Sequence, residues 1–436
     1  MTIYNLISFG GLFVLLGFAF LLSSDKKNIN YRVIIWGVLI QLILGFCIFL
    51  VPAGTKIFLY SNDVVVQIMN SSAEGANFLF GRLALPPGTE GENGETSLGF
   101  FLAFQALPTI IFFSALMSIL YYYGVMQKLI KGFSYLFTKF MRISGAESLS
   151  AASNIFVGVE SAFTIRPFLN QMTRSELCTV LTAGMATVSS NILALYIFIL
   201  IKEFPTIASH LISASILSAP AAIVMSKILL PESGKPETLG LKVNPSYEKE
   251  SSIFESIIKG ANGGVRLIAG IAALLVAVLG LVALVNLFLS LIGTSMNSVF
   301  GTDFTLSLQN IFGYIFYPFT VILGVPIADA YNVSKIIGEK VILTEVVSYQ
   351  DLAAAIKNQT ITNPRSIVVT TYALCGFTHL ASLSIFVGGI SALAPDRKSE
   401  IASVGFRALI AATLACLMTA CVSGIFFTGS SILIQN

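Results

Sequence analysis

Eight long apolar stretches divide the chain, at about 3–22, 33–53, 99–123, 176–201, 206–230, 264–292, 366–392 and 402–428. A helix needs about 20 mostly apolar residues to cross the hydrocarbon core of a bilayer, so each stretch predicts a span. The first carries no small-residue cleavage pattern and reads as a span rather than a removable leader. Two further stretches, about 145–170 and 308–347, are apolar but broken by Gly, Pro and polar residues. For the topology to close, each must enter and leave on one side. Irregular backbone at membrane depth is tolerated only inside protein or along a cavity, so these predict re-entrant hairpins. Each precedes a span with a polar centre: Thr187, Ser189, Ser190 and Asn191 in one, Thr378, His379, Ser382 and Ser384 in the other. The helix after the first hairpin runs outward and the helix after the second runs inward. Two such units of opposite orientation are the pattern of an inverted-repeat transporter with a site near the midplane. The predicted fold is an all-α polytopic membrane protein with eight transmembrane helices and two re-entrant helical hairpins in an inverted-repeat transport domain.

Charge orients this arrangement. Lys26, Lys27 and Arg32 fall in the loop 24–32, Lys128, Lys131, Lys139 and Arg142 follow the third span, and Arg397 and Lys398 lie in 393–400. The stretch 84–98 holds Glu90, Glu92 and Glu95 without Lys or Arg. The positive-inside rule then places 24–32, 124–145, 231–262 and 393–400 in the cytoplasm and both termini outside. The loop 231–262 is nearly charge-balanced and adds little. Composition agrees: 55% of the 436 residues are hydrophobic and 11% charged, against about 25% charged in soluble domains. A formal net charge of +3 gives no sign of nucleic-acid binding. Cys47, Cys178, Cys375, Cys416 and Cys421 have no metal or disulfide spacing. Motifs for nucleotide hydrolysis, serine hydrolases and zinc proteases are missing. The chain therefore reads as a transporter driven by an ion gradient, not as an enzyme, with no organic cofactor.

A few polar residues inside apolar segments carry the candidate chemistry. Glu160 stands near the tip of the first hairpin, in SNIFVGVESAFTIRPF (153–168). An intramembrane carboxylate costs about 2.5–3.5 kcal/mol on insertion scales and marks a site by default. Its plainer role is pairing with Arg166, although Arg166 beside Pro167 suits an anchor at the hairpin foot. Glu345, in ILTEVVSY, is expected at the end of the second hairpin. Its plainer role is that of a solvated interfacial glutamate. Together the two carboxylates suit a vicinal diol, since each offers two acceptor oxygens. Asn154 and Thr187 offer neutral oxygens to a hard cation or serve as interhelical hydrogen bonds. His379 and Ser382 are three apart, which puts them on one helix face. Phe377 reads as core or as a stacking surface.

Six stretches, in order from about residue 76 to the C-terminus, resemble the concentrative nucleoside transporter family. ANFLFG (76–81) resembles the end of its interfacial helix and FQALPTIIFFSALMSILYYYGVMQ (104–127) its third span. NIFVGVESAFTIRPFL (154–169) is similar to its first hairpin and MTRSELCTVLTAGMATV (172–188) to the next helix. ILTEVVSYQDL (342–352) resembles its N-E-F-x-A-Y element, and YALCGFTHLASLSIFVGGISALAPDRK (372–398) its C-terminal signature. The resemblance implies a homotrimer in which a transport domain slides past a scaffold. It implies scaffold at 1–98, 99–144 and 231–307, and the two transport repeats at 145–230 and 308–436. It implies ribose contacts at Glu160, Glu345 and Ser382, with Phe377 beside them and Val159, Ile192 and His379 completing the substrate-facing set. It implies sodium ligands at the Asn154 side chain, the Val157 carbonyl, the Thr187 hydroxyl and the Val188 carbonyl.

Two departures stand out. The family reads Q-T-E at the first hairpin tip, with Gln and Thr toward the base; here the run is Gly158-Val159-Glu160 and both polar groups are gone. The family's asparagine in G-F-A-N-F-S-S is His379, and the first serine of its pair is Ala381. Apolar sites discriminate weakly where hydrogen-bonding sites discriminate strongly, so the change bears on the base rather than the sugar. The expectation is sodium-driven import of nucleosides across the cytoplasmic membrane by alternating access. Three alternatives stay open: proton coupling through His379, since histidine titrates near neutrality; a different polyol-bearing solute; and a ligand-sensing membrane protein without net transport.

Overall fold

The computed structural model describes residues 2–91, 94–158, 160–247, 250–301 and 305–429. All its regular elements are helical, and two isolated bridge pairs are the only strand-like pairings among the described residues. The chain opens with α1 (Ile3–Leu21) and α2 (Tyr31–Phe49), then α3 (Pro52–Phe80), long and more polar than the spans. A short α4 (Leu102–Gln105) leads into α5 (Pro108–Tyr122), followed by α6 (Val125–Met141), amphipathic and basic.

The first hairpin is α7 (Gly145–Asn154), a turn, then α8 (Ser161–Thr164) and one 3-10 turn at Arg166–Phe168. The span after it is broken in two: α9 (Arg174–Ala186) and α10 (Ser190–Leu200). Thr187, at φ −110° and ψ 166°, leaves helical geometry there. β-branched and hydroxyl residues favour such an exit, because their side chains compete for the backbone. The unbroken α11 (Ile207–Leu229) closes the unit.

The chain then repeats the plan. α12 (Ile253–Phe300) corresponds to α5, and α13 (Leu308–Ile322) to α6. α14 (Ile327–Ile342) and α15 (Glu345–Lys357) form the second hairpin. A second broken span follows, α16 (Pro364–Leu374) and α17 (Leu380–Leu393), and then α18 (Lys398–Phe426). Its break carries Gly376 at φ +97°, a region open to glycine.

Hydrogen bonds between remote segments fix the two ends of the bundle. The Gly145 amide, at the foot of the first hairpin, donates to Thr238 O, and the Ser24 amide donates to Leu229 O. Arg397 donates to Asn170 O at 2.7 Å, where that hairpin exits. The second hairpin enters at the opposite end. There Arg365 donates to Gly324 O at 2.6 Å and to Tyr4 O at 2.8 Å. The hairpins therefore point at each other from opposite ends of the bundle.

Among the described residues seven helical segments are long and apolar enough to cross a membrane, counting α4 with α5 and α9 with α10, and α16 with α17 makes an eighth crossing in two pieces. The sequence-based span 264–292 underestimates α12, which has 48 residues, or about 70 Å of helix. The second hairpin also differs from the expected 308–347. Residues 308–322 form the separate helix α13, because Gly324 at φ +80° and Pro326 break the chain there. The hairpin is 327–357, so Glu345 begins its returning arm instead of ending the motif. Glu345, whose plainer role was that of a solvated interfacial glutamate, is buried, and so is Lys340.

Candidate functional site

The two breaks meet. The carbonyl of Ala186, which ends α9, lies 2.6 Å from where a Cβ on Gly376 would stand. Cys416 of α18 reaches both, donating its thiol to Cys375 O at 2.6 Å and to Ala186 O at 3.7 Å. A Cβ on Gly184 would overlap the Phe386 ring of α17. Glycine at these two positions lets the broken helices cross at their discontinuities, which puts unpaired backbone groups from four half-helices in one region.

The first hairpin tip packs on the start of α10, with the Ser190 amide donating to Phe156 O at 3.0 Å. Glu160 initiates α8 and is exposed. One of its oxygens lies 3.4 Å from the position a Cβ on Gly158 would take, and Ser189 flanks the same point. Among the described residues no other side chain hydrogen-bonds or pairs with its carboxylate. The plainer alternative, a pairing of Glu160 with Arg166, is not seen among the described residues, and Arg166 is exposed. Arg397 anchors the hairpin exit instead, through the Leu169, Asn170 and Met172 carbonyls and Glu400. Val159 lies outside the described residues.

The second tip is more heavily wired. Glu345 is buried, and its Oε1 accepts from Tyr196 OH of α10 at 2.7 Å. Its Oε2 lies 2.9 Å from His379 Nε2. His379 and Ser382 do not share a helix face. His379 is the N-cap of α17, its Nδ1 accepting from the Ser382 amide at 3.2 Å, while the Ser382 hydroxyl faces the His379 amide at 3.3 Å. The three-residue spacing is thus a reciprocal cap. Because Nδ1 accepts, a neutral ring carries its proton on Nε2, toward Glu345. Ser382 Oγ also donates to the carbonyls of Phe377 and His379. Phe377 is half-buried with its ring 6.5 Å from that of His379, and Ile192 is buried. Sequence reasoning missed Tyr196, which sits in an apolar run, ALYIFIL, and looks like any lipid-facing aromatic.

The four oxygens expected to hold a cation belong to the segments around the first break: the end of α7, the hairpin tip and the exit of α9. Asn154 Oδ1 accepts from Ser161 OH at 2.8 Å. Thr187 OH donates back to Ala183 O at 2.9 Å, leaving its lone pairs outward. Val188 O accepts from Ser215 OH at 3.3 Å, and Ser215 also reaches Ile155 O at 2.8 Å. Val157, whose carbonyl completes the set, stands at the tip, half-buried. These are neutral, hard donors, and each competing donor is a hydroxyl that can rotate. Such a set suits a hard monovalent cation at a helix C-terminus. Two cavities, about 400 and 590 Å³, lie at the Arg397 end of the bundle and touch none of these groups.

Two inverted repeats, each with a hairpin tip set against a broken helix, define an inverted-repeat secondary transporter. The comparisons narrow this class. Residues 10–83 match the family model described as Na+ dependent nucleoside transporter N-terminus, and residues 210–424 match its C-terminus. Residues 103–203 match a nucleoside recognition gate. An uncharacterized transporter of Haemophilus influenzae is 36% identical, with 95% of this chain and 96% of that protein covered. Solute carrier family 28 member 3 of Mus musculus is 38% identical over 97% of this chain, which spans 59% of that longer protein. A solved structure of CNTnw in an inward-facing, substrate-bound state is 34% identical with a TM-score of 0.85, covering 97% of this chain and 98% of that one. The chain belongs to the sodium-dependent nucleoside transporter family, a family of multi-pass membrane transporters and not of enzymes.

Proposed function

We propose that the protein is a sodium-coupled symporter that imports nucleosides by alternating access. The observation that carries this reading is the pairing at the two tips: neutral oxygens at the first break beside a free carboxylate, Glu160, and a wired carboxylate, Glu345, at the second. An ionised carboxylate has about four lone-pair sites. Glu345 uses two on Tyr196 and His379, and the rest suit ribose hydroxyls. Ser382 and Phe377 stand beside them, with Ile192 and Val159 toward the base. Asn154, Val157, Thr187 and Val188 hold sodium, and the ordered first hairpin then presents Glu160. An unloaded carrier would expose a lone carboxylate to a low dielectric, which is penalised, so the loaded form crosses preferentially.

The moving unit comprises both hairpins, the broken spans, α11 and α18. We assign α1 and α2 to it as well, which redraws the 1–98 scaffold boundary. Support comes from buried polar ties. Asn5 Nδ2 donates to Gly424 O, Ile425 O and Phe427 O, and Gln41 Nε2 donates to Leu217 O at 2.9 Å. The scaffold is then α3, α5 and α12. α12 exposes nearly all its apolar length, in keeping with a homotrimer embedded in lipid. The Arg397 end faces the cytoplasm and both termini lie outside, as the distribution of Lys and Arg supports.

The deciding experiment is thermal stabilisation of the purified protein against nucleosides, nucleobases and other polyols, with and without sodium. A ligand of the native state raises apparent stability by mass action. Stabilisation by uridine or adenosine that requires sodium is the expected result. Stabilisation by another polyol alone would overturn the substrate assignment. The His379–Glu345 contact favours one second reading, proton coupling, and uptake that follows pH and ignores sodium would select it.

A further inference from the structure

The two broken helices end alike but are neutralised differently. Each stops at a break with carbonyls released from the helical ladder, and a helix C-terminus carries roughly half a negative charge. At the end of α9 uncharged donors reach the freed oxygens among the described residues: the Thr187 hydroxyl to Ala183 O, the Cys416 thiol to Ala186 O and, just beyond, the Ser215 hydroxyl to Val188 O. At the end of α16 a whole ammonium does. Lys340, in the last turn of α14, is 2% exposed. Its Nζ donates to Ala373 O at 3.0 Å and to Cys375 O at 3.3 Å, and Cys416 shares the second oxygen. Among the described residues no carboxylate lies within ion-pair distance of this nitrogen. A buried ammonium without an acid is expensive unless a fixed dipole replaces its water. The α16 terminus supplies that dipole.

The positions correspond across the repeat. Asn154 closes α7 six residues before Glu160, and Lys340 lies on α14 five residues before Glu345. Both arms lead to a hairpin tip: Lys340 meets the C-terminal end of α16, and Ile155, next to Asn154, shares the Ser215 hydroxyl with Val188 just beyond α9. We propose that Lys340 is the fixed cation of the second repeat: its ammonium takes, at the end of α16, the place that a soluble cation takes at the end of α9. The second hairpin is then latched to α16 whether or not the coupling ion is present, and ion gating is confined to the first hairpin. The idea rests on the sodium-symport reading for the comparison between repeats. The latch itself rests on the Lys340 geometry alone.

The test uses the full-length protein and four preparations: wild type, Lys340→Ala, Lys340→Asn and Lys340→Arg. Thermal stability is read in sodium titrations and in ethylammonium or ethanol, with uptake in proteoliposomes as a second readout. Wild type should show a sodium response with a Hill slope near one. Lys340→Ala should melt lower and recover with millimolar ethylammonium but not with ethanol, which has similar bulk and no charge. Lys340→Asn, which adds a neutral oxygen at the vacated place, should raise the Hill slope toward two. Lys340→Arg should retain most of the stability. Equal rescue by ethanol and ethylammonium would reduce Lys340 to packing and overturn the proposal. A Lys340→Ala protein as stable as wild type with an unchanged sodium curve would do the same. If Lys340→Ala does not survive purification, Lys340→Met against Lys340→Arg decides it, and equal destabilisation of the two overturns it. A wild type indifferent to sodium, with Lys340→Ala still rescued by ethylammonium, removes the symport reading and leaves the latch standing.

Discussion

The two glutamates do different work because their neighbours differ. Glu345 receives a phenol and an imidazole, so its orientation is set before any ligand arrives. Glu160 is engaged by no side chain among the described residues and is free to answer to substrate. Glu160→Gln should therefore abolish uptake in proteoliposomes while the protein elutes and melts as wild type does; uptake at the normal rate would remove Glu160 from the site. Tyr196→Phe deletes one donor to a buried carboxylate. Hydrogen bonds to charged groups contribute about 1.5–3 kcal/mol, and 1.4 kcal/mol is a factor of ten. Nucleoside affinity by calorimetry should thus fall by about tenfold to a hundredfold. An unchanged affinity would mean that the tyrosine only fills space.

The breaks in α9–α10 and α16–α17 concentrate function in a few non-helical residues. Thr187→Val keeps the shape of the side chain and removes its oxygen. The sodium-dependent part of the thermal stabilisation should disappear while the sodium-free melting point stays close to wild type. Gly376→Ala tests the crossing itself. Its φ of +97° and the Ala186 carbonyl at 2.6 Å leave no room for a methyl group. Strain of this kind costs about 1–3 kcal/mol, so the melting temperature should fall in both the presence and absence of sodium. Capping chemistry fixes the feet of the same elements. Ser144 with Glu147 caps α7 and Thr173 with Glu176 caps α9. Lys227 joins them, 2.5 Å from Glu147 and 2.9 Å from Ser175.

At the scale of the molecule, the rigid ties predict what travels together. Ser24 and Leu229 are hydrogen-bonded neighbours on what we assign to one moving body. A cysteine pair at these positions should cross-link without stopping transport. Phe100, just before α4, and Phe198 of α10 have ring centroids 6.5 Å apart, between the scaffold and the moving body. A cysteine pair there should arrest uptake on oxidation and release it on reduction. Arrest by the first pair and freedom in the second would invert the division.

The sequence by itself determined the class. Apolar stretches of spanning length, Lys and Arg gathered in alternate loops, and two interrupted segments sufficed for a helical membrane protein with inverted repeats. These features are local: length, polarity and breaker residues act where they stand. Glu160 was legible for the same reason, as a carboxylate in an apolar run. Tertiary structure alone decided which charges are buried. Nothing in the sequence marks Lys340 or Glu345 as buried, and only the dipole of α16 and the side chains of Tyr196 and His379 make their burial tolerable. Those partners come from residues 33 to 149 positions away. The pairing of His379 with Ser382 shows the same limit at short range. Spacing of three fits a helix face and a cap equally, and only the break at Gly376 selects the cap.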